Sequence, residues 1–290
     1  MPIPTAINNQ PLLSFSELSA RGTASLGSHT DSSIGTSNAV AKTATNAAKA
    51  PKPYNLASIY KPAKSWFGSL WRQSLSTQLP LETQRPLLLN SANGQLLAGQ
   101  LTVLTGASGS GKSVLLRLLA GLTSISTGDI HLNGISIFDS SPIYWRAQVA
   151  LLSQHPQLIE GSVLDNLQLP YTLDAHHNQQ FDKQWHLKQL SYLQRDEQLL
   201  YQSTAYLSGG ERQLVNILRL LQLDPQVLLL DEPTAALDPQ TAADLIRLLL
   251  KWLHDDSNRA LLWITHDIDS IMPFANSHWQ MQAGRLTKLA

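Results

Sequence analysis

The stretch LTVLTGASGSGKSVLLRLLAGL, Leu101 to Leu122, constrains this chain more than any other. LTVLTG is a short apolar run ending in glycine and reads as a buried strand. SVLLRLLAGL carries its apolar residues at helical spacing. Between them GASGSGKS (Gly106, Ala107, Ser108, Gly109, Ser110, Gly111, Lys112, Ser113) fits G-x-x-x-x-G-K-[ST], the phosphate-loop pattern. The glycines let the backbone curl so that successive N–H groups face phosphate oxygens. Lys112 is then positioned for the β- and γ-phosphates, and the Ser113 hydroxyl for Mg²⁺. An ordinary Gly/Ser turn needs no Lys-Ser pair at a helix start, so this reading predicts ATP-type nucleotide and Mg²⁺ as ligands.

VLLLDE, Val227 to Glu232, is too short for a helix and apolar on both faces, as a central parallel strand is. Two acids at its end need compensation if they are buried. Asp231 is placed to hold Mg²⁺ through water, and Glu232 to polarise an attacking water. QVALLSQ and ALLWITH read as further strands, while TAADLIRLLLKWLH reads as a helix and IHLNGISI as two short strands around a turn. Residues 162–223 read as mainly helical and interrupt an otherwise alternating pattern. Strands alternating with helices predict an α/β fold with a covered, mainly parallel sheet.

YLSGGER, Tyr206 to Arg212, raises a separate question, because Gly-Gly before a long apolar run is a second anion-binding helix start in one chain. With the phosphate loop and VLLLDE in place, LSGGE (Ser208, Gly209, Gly210 at its centre) resembles the signature of ATP-binding cassette (ABC) ATPases. Gln154 resembles that family's Q-loop glutamine, AALD (235–238) its D-loop, and His266 its switch histidine. The resemblance covers about Arg85 to His266 and onward. It implies a P-loop NTPase fold of ABC type, with a mainly parallel sheet, a small antiparallel β part and the inserted helical subdomain at 162–223. It also implies ATP and Mg²⁺ as ligands, Glu232, His266 and Gln154 as catalytic residues, and Ser113, Gln154 and Asp231 around the metal. Two copies would sandwich two ATP, each held by the P-loop of one copy and LSGGE of the other. That pair would drive a separate integral membrane permease. Glu211 replaces the more frequent glutamine of the signature, and Val114 a second hydroxyl after the P-loop serine.

Within the family, SPIYWRAQVALLSQHPQLIEGSVLDNLQLPY and LLWITHDIDSI resemble the ATP-binding subunits of FetAB-type exporters, which implies metal (iron) export. Nothing in the sequence binds iron recognisably. His176 and His177 stand in a polar stretch without carboxylate or Cys company and read as solvated. The family also offers an aromatic ahead of the P-loop to stack on adenine, yet Arg85 to Thr105 contains none. Tyr60, at the end of the strand-like YNLASIY, is the candidate, with 61–84 as an insertion; Trp66 and Trp71 are rivals.

Residues 1–52 are rich in Ser, Thr, Ala and Asn with scattered apolar residues, and read as a disordered low-complexity segment ahead of a nucleotide-binding domain spanning 53–290. Charge is uneven: residues 1–80 hold seven Lys/Arg against Glu17 and Asp31, while the whole chain is formally neutral. A near-neutral body without a basic stripe argues against nucleic-acid binding. The alternative, a soluble ABC protein acting on ribosomes or nucleic acid, usually has two cassettes or a long coiled coil, and this chain has one P-loop and no sustained heptads. Cysteine is absent, no run approaches the ~20 apolar residues of a membrane span, and MPIPTAINNQPLLSF lacks the features of a secretory signal. The expected location is cytoplasmic, peripheral on the inner face of the cell membrane through the permease.

Overall fold

The structure, a computed structural model, describes residues 11–22, 87–155, 157–176 and 178–289. Two sheets organise them. A four-stranded antiparallel sheet has the order β2-β1-β4-β5, with β1 Pro11–Arg21, β2 Leu87–Leu97, β4 Thr127–Leu132 and β5 Ile135–Ser136. A six-stranded sheet has the order β10-β9-β3-β8-β7-β6, with β3 Leu101–Thr105, β6 Val149–Leu152, β7 Val227–Asp231, β8 Ala260–Ile264, β9 Ser277–Gln282 and β10 Arg285–Lys288. Within it β6, β7, β8, β3 and β9 are parallel, and β10 turns back antiparallel on β9.

The period-2 geometry of strands divides the apolar runs between two cores. Leu104, Leu229, Leu262 and Ile264 face a core shared with β1, β2 and helix α1 (Lys112–Leu119). Leu101, Val103, Leu228, Leu230, Leu261 and Trp263 face the other, against α5 (Gly209–Leu221) and α6 (Pro239–Asp255). Both faces of these central strands are covered, which is why they read as unbroken apolar runs. Each fully buried Leu contributes about 1.5–3 kcal/mol relative to exposure.

Between β6 and β7 the regular elements are helical. α3 (Val163–Gln168), α4 (Lys183–Tyr192) and α5 are joined by 3₁₀ turns at Leu169–Thr172, Glu197–Tyr201 and Thr204–Tyr206. Their starts follow from capping residues. Ser162 and Asp165 form a reciprocal box on α3, and Asp182 accepts from Trp185 N at α4. A short helix, α2 (Pro142–Gln148), precedes β6; its Trp145 is buried and donates Nε1–H to Leu119 O at 2.8 Å, tying α2 to the end of α1.

Two expectations change. Residues 11–21 are a strand, not part of a disordered segment. Leu12, Leu13, Phe15, Leu18 and Ala20 are buried, but bulges around Glu17 (φ 49°) break the alternation that would have marked them as a strand. Their burial also depends on β2 and β4, which lie far along the chain. His176 is buried rather than solvated, and that burial pushes its pKa below the ordinary histidine value. Among the described residues no group of His, Asp and Glu is arranged to hold a metal, and none of the helices is long and apolar enough to cross a membrane. The remainder of 1–52, YNLASIY with Tyr60, Trp66 and Trp71, the stretch 61–84 and His177 lie outside the described residues.

Candidate functional site

The neighbouring strands β3, β8, β7 and β6 run parallel, so the loops after all four emerge at one end of the sheet. The P-loop follows β3, His266 follows β8, Glu232 follows β7 and Gln154 follows β6. Parallel topology thus gathers residues scattered over more than half the chain at the strands' C-terminal edge, where open α/β sheets bind ligands.

The P-loop conformation depends on its glycines. Gly106, Gly109 and Gly111 have φ of 149°, 74° and 110°. A Cβ on Gly106 would stand 2.2 Å from Met281 O, and one on Gly111 2.8 Å from Leu88 O. The loop is therefore clamped between β2 and the β9–β10 hairpin, whose turn residue Gly284 donates its N–H to Ser110 O at 2.9 Å. Lys112 is largely buried, and its Nζ donates to Gly106 O at 2.6 Å and Ala107 O at 3.0 Å. The first turn of α1 receives no side-chain cap, leaving its N–H groups and the helix dipole to an anion. Ser110 Oγ is buried without a hydrogen-bond partner among the described residues. A glycine cradle, an uncapped helix start, a lysine held over the loop and an orphan hydroxyl all fit a triphosphate. Ser113 in the first helical turn, Gln154 and Asp231 offer hydroxyl, amide and carboxylate oxygens, the hard donors that suit Mg²⁺.

Gln154, Glu232 and His266 meet directly. Glu232 Oε2 accepts from Gln154 Nε2 at 3.1 Å, and Glu232 Oε1 lies 3.0 Å from His266 Nε2. Glu232 itself has φ 52°, and its N–H donates to Ile264 O at 3.0 Å. A non-glycine residue in the left-handed region is uncommon. Here the bend redirects the chain at the end of β7 so that the carboxylate stands between the loops of its neighbours. A cleft of about 650 Å³ opens beside it, with Glu232, His266, Leu237 and Ile246 among its walls.

The signature segment is elsewhere. Ser208 caps α5: its Oγ accepts from Glu211 N at 3.2 Å, and Glu211 Oε2 accepts from Ser208 N at 2.8 Å. A Cβ on Gly210 would meet Leu237 Cδ2 at 3.0 Å and Ala236 O at 3.1 Å, so the AALD loop packs against this helix start. Asp238 ends that loop by capping α6, and its hydrogen bonds from Thr241 hold its carboxyl below the ordinary aspartate range. The contacts shown for Ser208, Gly209 and Gly210 are to Glu211, Arg212, Ala236 and Leu237, none of them in the P-loop.

Two contributors to the site went unread in the sequence. Leu88 and Met281 shape the P-loop through their carbonyls, and a carbonyl leaves no trace in residue type. The alternation in HWQMQ and RLTK around Ala283-Gly284 was the available signal for the hairpin that supplies Met281.

The family model described as ABC transporter matches residues 89–235. A probable iron export ATP-binding protein, FetA, of Escherichia coli (strain K12) is 37% identical over 184 residues, covering 63% of this chain and 80% of that protein. The methionine import ATP-binding protein MetN of Bartonella henselae is 32% identical over 205 residues, covering 69% of this chain and 58% of that protein. Among solved structures, a dimeric post-hydrolysis state of the ATP-binding cassette MJ0796 bound to ADP and Pi superposes with a TM-score of 0.63. It is 25% identical, and the match covers 73% of this chain and 94% of that one.

Proposed function

This chain belongs to the ABC transporter family as one of its ATP-binding cassettes, an ATPase subunit, and from that premise we propose how its residues divide the work. Glu232 is the catalytic carboxylate that takes the proton of a water attacking the γ-phosphorus. His266 contacts the γ-phosphate, and Gln154 reports nucleotide to the membrane partner. The observation that carries this reading is the Glu232 carboxylate held between Gln154 Nε2 and His266 Nε2. Both flanking groups present hydrogen-bonding nitrogens, so the carboxylate is oriented before substrate arrives, which is how positioning lowers a phosphoryl-transfer barrier.

Lys112 and the backbone N–H groups of Gly106–Ser113 hold the triphosphate, with Lys112 exchanging its two loop carbonyls for phosphate oxygens. Ser113, Gln154 and Asp231 hold Mg²⁺, which neutralises charge on the phosphates when bound. Two copies pair head to tail, each ATP lying between the P-loop of one and Ser208, Gly209 and Gly210 of the other. The dimeric MJ0796 cassette supports the pairing. A separate membrane permease is the driven partner, with metal export as its direction and cargo; the FetA relative supports this, although MetN is an import protein.

Glu232→Gln tests the central assignment. The variant should bind ATP with unchanged affinity and lose nearly all turnover; hydrolysis at the wild-type rate would refute the role. Co-purification from membranes with an integral protein tests the permease. Cellular iron content in a deletion strain tests the cargo, and unchanged iron content would count against export.

A further inference from the structure

The described residues against the P-loop include Leu88, Gln280, Met281, Gln282, Ala283 and Gly284, none of which carries a ring. Leu87 and Leu88 are exposed, 46% and 39%, but Leu88 reaches the loop through its carbonyl, 2.8 Å from where a Cβ on Gly111 would stand. Aliphatic surface excludes water from one face of a base but supplies no π-stacking.

A ring of the right kind stands at the other phosphate-facing element. Tyr206 is 86% exposed, more than any other large apolar or aromatic side chain described. It is not on a loose loop. Its N–H donates to Ser203 O at 3.0 Å, and the Thr204 hydroxyl is tied to Ile159 O and Gly161 O at 3.1 Å. On the other side Leu207 is buried, with its carbonyl accepting from Arg212 Nε at 3.2 Å. A rigid backbone thus holds an aromatic side chain in water, two residues before Ser208. Leu207 is extended (φ −71°, ψ 138°), so Tyr206 stands up to about 7 Å from Ser208 along the chain, before its own side chain adds reach.

We infer that Tyr206 is a base-binding residue acting in trans: when two copies close, its ring stacks on the adenine held at the other copy's P-loop. The inference rests on the head-to-tail pairing proposed above. With Ser208 at the γ-phosphate, Tyr206 stands close enough along the chain for its ring to reach beyond the phosphates of the same nucleotide. Tyrosine suits the place, because it adds rigid contact area with few torsions to immobilise. Stacking of a base on an aromatic ring is worth about 1–3 kcal/mol by alanine substitution, which corresponds to on the order of tenfold in affinity.

The experiment uses the full chain with Glu232→Gln to retain ATP, and reads ATP-dependent dimerisation by sedimentation. If Glu232→Gln alone does not dimerise with ATP, the pairing itself fails and the inference falls with it. If it dimerises, adding Tyr206→Ala should raise the ATP concentration for half-maximal dimer on the order of tenfold, while Tyr206→Phe stays within about twofold. A Tyr206→Ala shift below about twofold, or an equal loss in Tyr206→Phe, overturns the stacking role. Mixed pairs decide between cis and trans. A Lys112→Ala copy mixed with a Tyr206→Ala copy presents an intact ring to the one competent P-loop and should pair normally. A Lys112→Ala/Tyr206→Ala copy, labelled so that only its mixed pairs are followed, should pair weakly with an otherwise unaltered copy. The reverse order of these two mixtures overturns action in trans. Tyr60→Ala reproducing the tenfold shift while Tyr206→Ala leaves it unmoved would assign the base to the other tyrosine.

Discussion

Replacing Gly111 and Gly109 by alanine, one at a time, separates backbone strain from steric exclusion in the P-loop. Both glycines lie at positive φ, 110° and 74°. Alanine at either is held in a left-handed conformation at a cost of about 1–2 kcal/mol, offset by about 0.4–1 kcal/mol because it narrows the unfolded ensemble. Around Gly109 no atom of the described residues beyond its chain neighbours comes within 4 Å of an added Cβ, so its variant should lose only about 1 kcal/mol. At Gly111 the added Cβ stands 2.8 Å from Leu88 O and 3.6 Å from Gly284 Cα. Those are backbone atoms, and no side-chain rotation relieves the contact. Overpacking adds about 1–3 kcal/mol, which brings Gly111→Ala to about 2–4 kcal/mol. Urea denaturation measures the difference through the midpoints, provided that the slopes match. Calorimetric titration with Mg-ATP should also show weaker binding for Gly111→Ala, since β2 must move off the loop. Equal destabilisation of the two variants, within about 0.5 kcal/mol, would refute the claim that Leu88 clamps the loop.

Ser208 has two separable duties. Ser208→Ala removes the α5 cap and should cost about 1 kcal/mol, while Ser208→Asp keeps a capping oxygen and sets a negative charge toward phosphate; thermal melts should rank Asp near wild type, and turnover should rank it lowest. Buried His186 stacks on Phe181 with centroids 4.5 Å apart, and its Nδ1 lies 2.7 Å from Asp182 O. Burial holds its pKa, like that of His176, below the ordinary histidine value. The fold therefore prefers the neutral rings. That contribution is fully present above the unfolded value of about 6.5, and it is lost as pH falls from there through the lower folded values. Urea midpoints for wild type should drop between pH 7.5 and 5.5, and His186→Gln should flatten that drop; identical slopes would refute the assignment.

The local motifs were legible because each is a short-range physical device. Gly106–Ser113 between a strand and a helix, the apolar VLLLDE and the Gly-Gly helix start of YLSGGER are fixed by residues within one turn or one strand of each other. Strand β1 was illegible for the opposite reason. The Glu17 bulges put its buried residues out of alternation, and its partners β2 and β4 are remote. His176 was misread because a polar neighbourhood in sequence says nothing of what packs over it.

By itself the sequence offered Gln154 and His266 only through a family resemblance, and it determined the local motifs directly: the P-loop pattern, VLLLDE and the Gly-Gly helix start of LSGGE. Their identities and spacings are local, and local physics selects them. Only the tertiary structure decided that Glu232 stands between Gln154 and His266, because that meeting requires β6, β7 and β8 to lie side by side and parallel. It also decided that Leu88 and Met281 mould the P-loop and that Tyr206 faces water. Long-range packing sets such contacts, and no periodicity in the chain encodes them.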